Sequence, residues 1–398
     1  MSRTFSLPGF VLVHDNFFCI KGLITTDSCV RIASMPRKNG KLRDKGSAGL
    51  LPNHAATLKE LAAHLELSPT ALSLVLNESP AGSSIPKETK DRIFAAAKEF
   101  NYRPNFLARS LRAKRSFTIG VLVPELSDGY SAMVLSGIED YLLKEGYFYL
   151  VASHRHDLRL LDDYQRLLSE RCVEGIIAVD TPCPKDFLLP VVAISRHDDV
   201  EGVTNVALDH RKAATLALEY LVQLGHRQIA FIKGQVFSSD TEVRWKAIRD
   251  AARRLGVPVH SALVAQLEGN SPSPELGYIA ARKLVAAGAP FTALFAFNDV
   301  SAVGAIRAFN EAGRRVPEDI SVLGFDDVYS AAFQNPPLTT IRQPLRQMGS
   351  MAAETLLKRI ADGPKAPYPK QVTVEPELVI RQSTAPAFTA KEATRLAS

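Results

Sequence analysis

The stretch TLKELAAHLELSPTALSLVLN, residues 57–77, decides how the rest of the chain is read. Thr57 and Glu60 have the Thr-x-x-Glu spacing in which a hydroxyl and a carboxylate satisfy each other's orphan amides at a helix start. Leu58, Leu61 and Leu65 then fall on one face at helical spacing. Ser68 is a strong N-cap, and Pro69 suits a first helical position, where no amide hydrogen is needed. Leu72, Val75 and Leu76 give the apolar face of this second helix, and Asn77 closes it. Two short helices joined by a tight turn make either a helix-turn-helix or a plain helical hairpin. A loop rich in Ser, Pro and Gly (78–85) leads to a third helix, predicted from Pro86 to Phe100, with Ile93, Ala96, Ala97 and Phe100 inward.

Downstream, RPNFLARSLRAKR (103–115) holds five basic residues and no acid. The pattern then changes. Strand-like runs at 117–123, 147–152, 175–179, 190–194, 228–232, 292–296 and 319–323 alternate with helical patterns at 131–145, 158–170, 210–224, 240–255, 275–288, 299–312 and 345–361. Such alternation predicts parallel sheets with helices on both faces. The span is too long for one comfortable core, so two α/β lobes with a cleft between them are expected. Folds of this kind bind ligands beyond the carboxyl ends of their strands.

Upstream, residues 1–53 show no sustained period and end in a basic, Gly-containing run (37–46), which reads as a flexible extension. Met35 stands as an alternative start. The apolar patches of FVLVHDNFFCIKGLI (10–24) are broken by His14, Asp15 and Asn16, and the segment is rejected as an export signal. No run reaches the roughly 18 apolar residues of a membrane span. Cys19, Cys29, Cys172 and Cys183 match no zinc or redox spacing, and are read as reduced thiols of a cytoplasmic protein.

Charge is uneven. Residues 1–56 carry 8 Lys/Arg against 3 Asp/Glu, and residues 57–115 carry 10 against 6, which leaves 116–398 at −3 within an overall +6. A basic head on a neutral-to-acidic body suits a polyanion-binding module, although a solvated basic face has the same signature. There is no Gly-x-Ser-x-Gly, no Gly-rich phosphate loop and no metal-ligand cluster, so no enzyme, metal or cofactor is expected. His154 and His156 are read as surface residues, and Trp245, the single tryptophan, as core.

These residues resemble a known family. TLKELAAHLELSPTALSLVLN (57–77) and NYRPNFLARSL (101–111) are similar to the DNA-binding head and hinge of LacI/GalR regulators. The similarity continues through IGVLVPELSDGY (119–130), LGHRQIAFIKG (224–234), FAFNDVSAVGAIRAFNEAGRRVPEDISVLGFDD (295–327) and PPLTTIRQP (336–344). The resemblance implies an N-terminal all-α helix-turn-helix domain followed by a two-lobed α/β domain like the periplasmic binding proteins. It places an extension at 1–56, the DNA-binding domain at 57–102, a hinge at 103–116, the effector-binding and dimerisation domain at 117–382 and a tail from Ser383 to the end. It implies a homodimeric repressor that binds a double-stranded operator and responds to a small effector, a carbohydrate by family habit. The competing reading is a sugar-binding sensor without DNA readout, which needs an export signal and no helix-turn-helix.

Carried over residue by residue, the DNA-facing set is Thr57, Ser68, Pro69, Thr70, Ser73, Leu74, Asn77, Tyr102, Asn105, Ala108 and Leu111. Leu111 would be the apolar wedge that opens a central base step in the minor groove. Arg103, Arg109, Arg112, Lys114 and Arg115 would neutralise phosphates. The effector set is Tyr130, Ser131, Arg244, Asn298 and Asp326, in which an arginine fork, a carboxylate and an aromatic face suit adjacent hydroxyls and a sugar's C–H surface. Several positions depart from the family. Leu74 stands where relatives often carry a polar or basic side chain. Ala247 replaces a glycine, and Asp128-Gly129 an Asn-Pro. Glu66 replaces a turn glycine, at a cost of about 1 kcal/mol if the turn needs positive φ.

Overall fold

The computed structural model describes residues 56–77, 79–102, 110, 115–127, 129–183, 189–196, 200–270, 273–363 and 366–387. Asn105, Ala108, Leu111, four of the five hinge cations and the extension 1–55 lie outside the described residues. The chain divides into two compact units, Met1–Arg103 and Pro104–Ser398.

In the first unit, helix α1 (Leu58–Leu65) opens on the expected capping box. The Thr57 hydroxyl accepts from the Glu60 amide at 3.3 Å, and the Glu60 carboxylate accepts from the Thr57 amide at 2.7 Å. The helix stops at Glu66, which takes the left-handed conformation with φ 56° and ψ 35°. The turn therefore does require positive φ, and a residue with a Cβ occupies it. Helix α2 (Pro69–Leu76) starts from Ser68, whose hydroxyl accepts from the Ala71 amide at 3.1 Å. Helix α3 (Lys87–Glu99) packs across both. Leu61, Leu72 and Ile93 are fully buried at the centre of the trio, each contributing about 1.5–3 kcal/mol by leaving water. The loop between α2 and α3 contains a 3-10 turn, Pro80–Gly82, in which Gly82 is buried against the backbone of Leu74.

The second unit holds two six-stranded sheets. The first is built from β1 (Thr118–Val123), β2 (Phe148–Ser153), β3 (Gly175–Val179), β4 (Val191–Ile194), β5 (Val203–Leu208) and β11 (Gln371–Val374). Its order is β11-β5-β4-β3-β1-β2, all parallel. The second contains β6 (Ile229–Lys233), β7 (Val264–Gln266), β8 (Ala293–Phe295), β9 (Ser321–Asp326), β10 (Thr339–Arg342) and β12 (Glu377–Val379). Its order is β12-β10-β9-β8-β6-β7, with only the β10–β12 pair antiparallel. The central strands are buried along their whole length, as parallel strands covered on both faces must be. The strands β5, β7, β10, β11 and β12 were not among the expected runs.

Helices α4 (Gly129–Lys144), α5 (Leu158–Glu170) and α10 (Leu345–Asp362) belong to the first lobe. Helices α6 (His210–Gln223), α7 (Ser239–Arg254), α8 (Pro274–Ala286) and α9 (Asp299–Glu311) belong to the second. The chain passes between lobes three times: between β5 and α6, between β10 and α10, and between β11 and β12. Where α4 crosses α10, a Cβ on Gly137 would lie 1.8 Å from the Arg346 carbonyl oxygen, and one on Gly349 would lie 2.1 Å from that of Val134. Glycine costs about 0.5–1 kcal/mol in a helix interior, yet here it alone permits the backbones to meet.

One boundary needs correction. The tail expected from Ser383 is anchored over its first residues. Ser383 is fully buried, its hydroxyl donating to the Val322 carbonyl at 2.6 Å and accepting from the Thr339 amide at 2.8 Å. The Ala387 amide donates to the Leu224 carbonyl at 2.7 Å. These bonds are made by backbone and hydroxyl groups without any apolar pattern, which is why the segment reads as loose.

Candidate functional site

A cleft open to solvent lies between the carboxyl ends of the two sheets of the second unit. Each wall residue follows from strand order. The segments after β1 and β3 supply Glu125 and Asp180, β6 leads to Gln235, Phe237 and Ser238, β8 to Phe297 and Asn298, and β9 ends on Asp326. Tyr130 on α4, Asp240 and Arg244 on α7, and His156 and Asn270 also line the cleft.

Arg244 is held firmly. It is 4% exposed, yet one guanidinium nitrogen donates to Asp240, one turn earlier on α7, at 2.9 Å. Another donates to the Phe297 carbonyl at 2.5 Å, and the guanidinium carbon lies 3.7 Å from the Phe325 ring centroid. A pre-positioned fork of this kind loses little entropy on gripping a ligand. Asp240 also faces His210 Nε2 at 3.2 Å. The Tyr130 hydroxyl donates to Ser195 at 2.7 Å, and burial pushes its pKa well above the usual phenol value.

Asp326 is 5% exposed and has φ 108°, and its neighbour Asp327 has φ 56°. The two successive strained residues are fastened from several sides, as strain at a functional site requires. Gln343 donates its side-chain amide to the Asp326 carboxylate at 2.7 Å. Asp327 accepts from Arg342 at 2.7 Å and from Arg381 at 2.6 Å. Asp299 accepts from the Val328 amide at 2.9 Å and from the Thr340 hydroxyl at 2.6 Å. Burial raises the Asp326 pKa well above the carboxylate range, and the nearby Arg244 charge only partly opposes this.

Of the expected effector residues, Tyr130, Arg244, Asn298 and Asp326 line this one cavity. Asn298 also caps α9, its side-chain oxygen accepting from the Ser301 amide at 2.9 Å. Ser131 does not line the cavity. It is fully buried, because one step along a helix turns a side chain by about 100°. Trp245 packs edge-on against Phe231 at the margin of the core. The surface reading of the histidines is corrected: His154 is 2% exposed, and half-buried His156 lines the cavity, tilted 37° against Phe237 with centroids 3.8 Å apart. Asp180, Gln235 and Asp240 were missed. Asp180 at least carries a signal, a lone acid ending the apolar run Gly175–Val179.

On the first unit, Thr57, Ser68, Pro69, Thr70 and Asn77 are exposed. The Thr57 and Ser68 hydroxyls accept from backbone amides and so keep their own hydrogens to donate. Leu74 is half-buried. Ser73 is turned inward at 8% exposure and accepts from Asn77 at 3.2 Å, contrary to a role on the outer face. Tyr102 packs against the three-helix core. Arg115, expected to meet phosphate, is engaged within its own unit by Glu174 at 2.9 Å and by the Tyr147 hydroxyl. Among the described residues no helix is long and apolar enough to cross a membrane.

Comparison with known proteins agrees with this anatomy. Residues 218–384 match the periplasmic binding protein-like domain family. The HTH-type transcriptional repressor PurR of Pasteurella multocida is 31% identical over 337 residues, covering 82% of this chain and 98% of the relative. That of Yersinia pestis is 32% identical over 342 residues, covering 83% and 97%. Among solved structures, the Lac repressor dimer bound to operator and the anti-inducer ONPF superposes with a TM-score of 0.73 at 27% identity, covering 83% of this chain and all of that one. The regulator CelR in complex with cellobiose superposes with a TM-score of 0.61 at 26% identity, covering 82% and 99%. With a relative above thirty per cent identity matched along nearly its whole length, and with the two-lobed fold and its cavity in place, the chain belongs to the LacI/GalR family of transcriptional regulators.

Proposed function

We propose that the chain is a sequence-specific DNA-binding repressor, not an enzyme, acting as a homodimer in the cytoplasm. Its affinity for an operator changes when a small polyhydroxylated effector occupies the interlobe cavity. The observation that carries this reading is the cavity's own chemistry. A fixed guanidinium, the carboxyl groups of Asp180, Asp240 and Asp326 and the amides of Gln235 and Asn298 share the lining with the rings of Phe237 and Phe297. Hydroxyl groups need donors and acceptors side by side, and a pyranose or furanose ring offers C–H surface to aromatic faces. Cellobiose is bound in the CelR complex, and ribose in a related regulator from Enterococcus faecium, which supports the same ligand class here.

The first unit supplies the DNA contact in this reading. The exposed N-terminus of α2, with Pro69 and Thr70, enters the major groove, while the Thr57 and Ser68 hydroxyls serve phosphates. Leu111 serves as the minor-groove wedge of the hinge. The test is selection of bound duplexes from a random-sequence pool by the full chain, repeated with pentoses, hexoses and disaccharides. A two-half-site consensus whose recovery shifts with one sugar is the expected result. Failure to prefer any duplex over random competitor at moderate ionic strength, with or without sugars, would overturn it.

A further inference from the structure

The two cavity carboxylates nearest Arg244 are each fastened to a segment that runs between the lobes. Asp240 meets His210 Nε2 at 3.2 Å, and His210 is the first residue of α6, directly after the chain leaves β5. His210 is 4% exposed and stacks on Phe325, with centroids 6.1 Å apart and planes 23° apart. Phe325 is also the ring beneath the Arg244 guanidinium. Asp326 meets Gln343 twice. The Gln343 side-chain amide donates to its carboxylate at 2.7 Å, and the Gln343 backbone amide donates to its carbonyl at 3.2 Å. Gln343 is 1% exposed and lies between β10 and α10, on the second passage between lobes. The third passage joins the set through the Asp209 amide, which donates to the Val374 carbonyl at 2.9 Å.

The geometry points to His210 and Gln343 as positioning residues that couple the occupancy of the cavity to the arrangement of the lobes. Neither is among the side chains lining the cavity. Each holds a carboxylate that a ligand would compete for, and each stands where a small change in backbone angle re-aims a whole lobe. A hydroxyl that draws Asp240 or Asp326 toward itself lengthens the bond behind it. Each bond weakened in this way loosens the passage it holds, while Asp240 keeps its ion pair with Arg244. Gln343 is already short of partners: its side-chain oxygen is buried with none. This inference deepens the regulator reading above by naming how its cavity is connected.

The experiment alters the two carboxyl groups rather than adding a ligand, and needs no DNA, so its failure is separable from failure of the repressor reading. Hydrogen exchange is followed on the full chain at the Asp209, Gln343 and Leu345 amides, with the α8 amides as an internal reference. Asp240→Asn is expected to speed exchange at Asp209, and Asp326→Asn at Gln343, by about tenfold, with α8 unchanged. In a His210→Phe background, which keeps the ring stack and cuts the bond, Asp240→Asn should add less than about twofold. Gln343→Leu should likewise silence Asp326→Asn. His210→Gln returns a donor near the Nε2 position and should restore the wild-type rates, a rescue that a purely space-filling role would not give. Unchanged crossover exchange in both Asn variants, or effects that simply add to those of His210→Phe and Gln343→Leu, would overturn the assignment.

Discussion

Replacing Glu66 by glycine is expected to tighten the helical pair α1–α2 by about 1 kcal/mol, and the figure can be built from the turn itself. Glu66 sits at φ 56° and ψ 35°, where a side chain's Cβ crowds the following carbonyl at a cost of about 1–2 kcal/mol. Its carboxylate also lies at the carboxyl end of α1, where the helix dipole disfavours an anion by about 0.3–1 kcal/mol. Against these gains, glycine loses about 0.5–1 kcal/mol more backbone entropy on folding. The capping bonds survive the change, because they run from backbone amides: Leu67 donates to the Ala62 carbonyl at 3.1 Å, and Glu66 to that of Ala63 at 3.4 Å. The assay is amide hydrogen exchange at Leu65, Leu67 and Leu72 in the full chain, where 1 kcal/mol appears as about fivefold slower exchange. Glu66→Gln isolates the charge contribution, since it keeps the strained backbone. Exchange in Glu66→Gly that is no slower than in Glu66→Gln would refute the strain argument.

Other consequences are equally open to measurement. Gly349→Ala drives a methyl into the Val134 carbonyl and is expected to destabilise the second unit by about 3 kcal/mol, read as a lower urea midpoint. His154, whose pKa burial and the neighbouring His156 lower to about 4, stays neutral in the folded state while the unfolded chain takes up a proton below about 6.5. Stability should therefore fall as pH drops from about 6.5 to 4, by up to about 3 kcal/mol, and His154→Gln should visibly flatten that slope in pH-dependent denaturation. Asp326→Ala is expected to weaken, by about tenfold or more, the binding of whichever sugar shifts operator affinity, with the dimer intact by gel filtration. Leu111→Ala should weaken specific operator binding in a gel-shift assay while leaving the far-ultraviolet circular dichroism unchanged.

Much of the architecture was legible because its signals are local. The apolar spacing of Leu158–Glu170 fixes α5 to the residue, and the Thr57–Glu60 pair fixes the start of α1. Where the reading missed, the cause is tertiary. Strand β5 carries Thr204 and Asn205 inside it, and these polar side chains find distant or irregular partners, among them the Pro369 carbonyl, the Arg359 guanidinium and the Arg196 amide. Strands β7 and β12 are three residues long, too short for any period to register. In the cavity, Arg244, Asp326, Asn298 and Tyr130 were found through the family resemblance, whereas Asp240 was not, because on α7 it reads as an ordinary acid in a first turn. Its importance comes from His210, thirty residues earlier. Ser73 is turned inward, where its hydroxyl accepts from Asn77 one turn on, a detail that its small polar side chain does not announce.

The abutting backbones of α4 and α10 have a mechanical consequence. Helix α4 begins at Gly129, next to the cavity-lining Tyr130, and α10 begins beside the interlobe passage, at Leu345. Where Gly137 meets the Arg346 carbonyl and Gly349 that of Val134, backbone lies against backbone, and beside this contact the Ser350 hydroxyl donates to the Gly137 carbonyl at 2.9 Å and Arg346 pairs with Asp140 at 2.6 Å. Such a joint has no slack. The two helices are therefore expected to move as one stiff body whenever the first lobe moves.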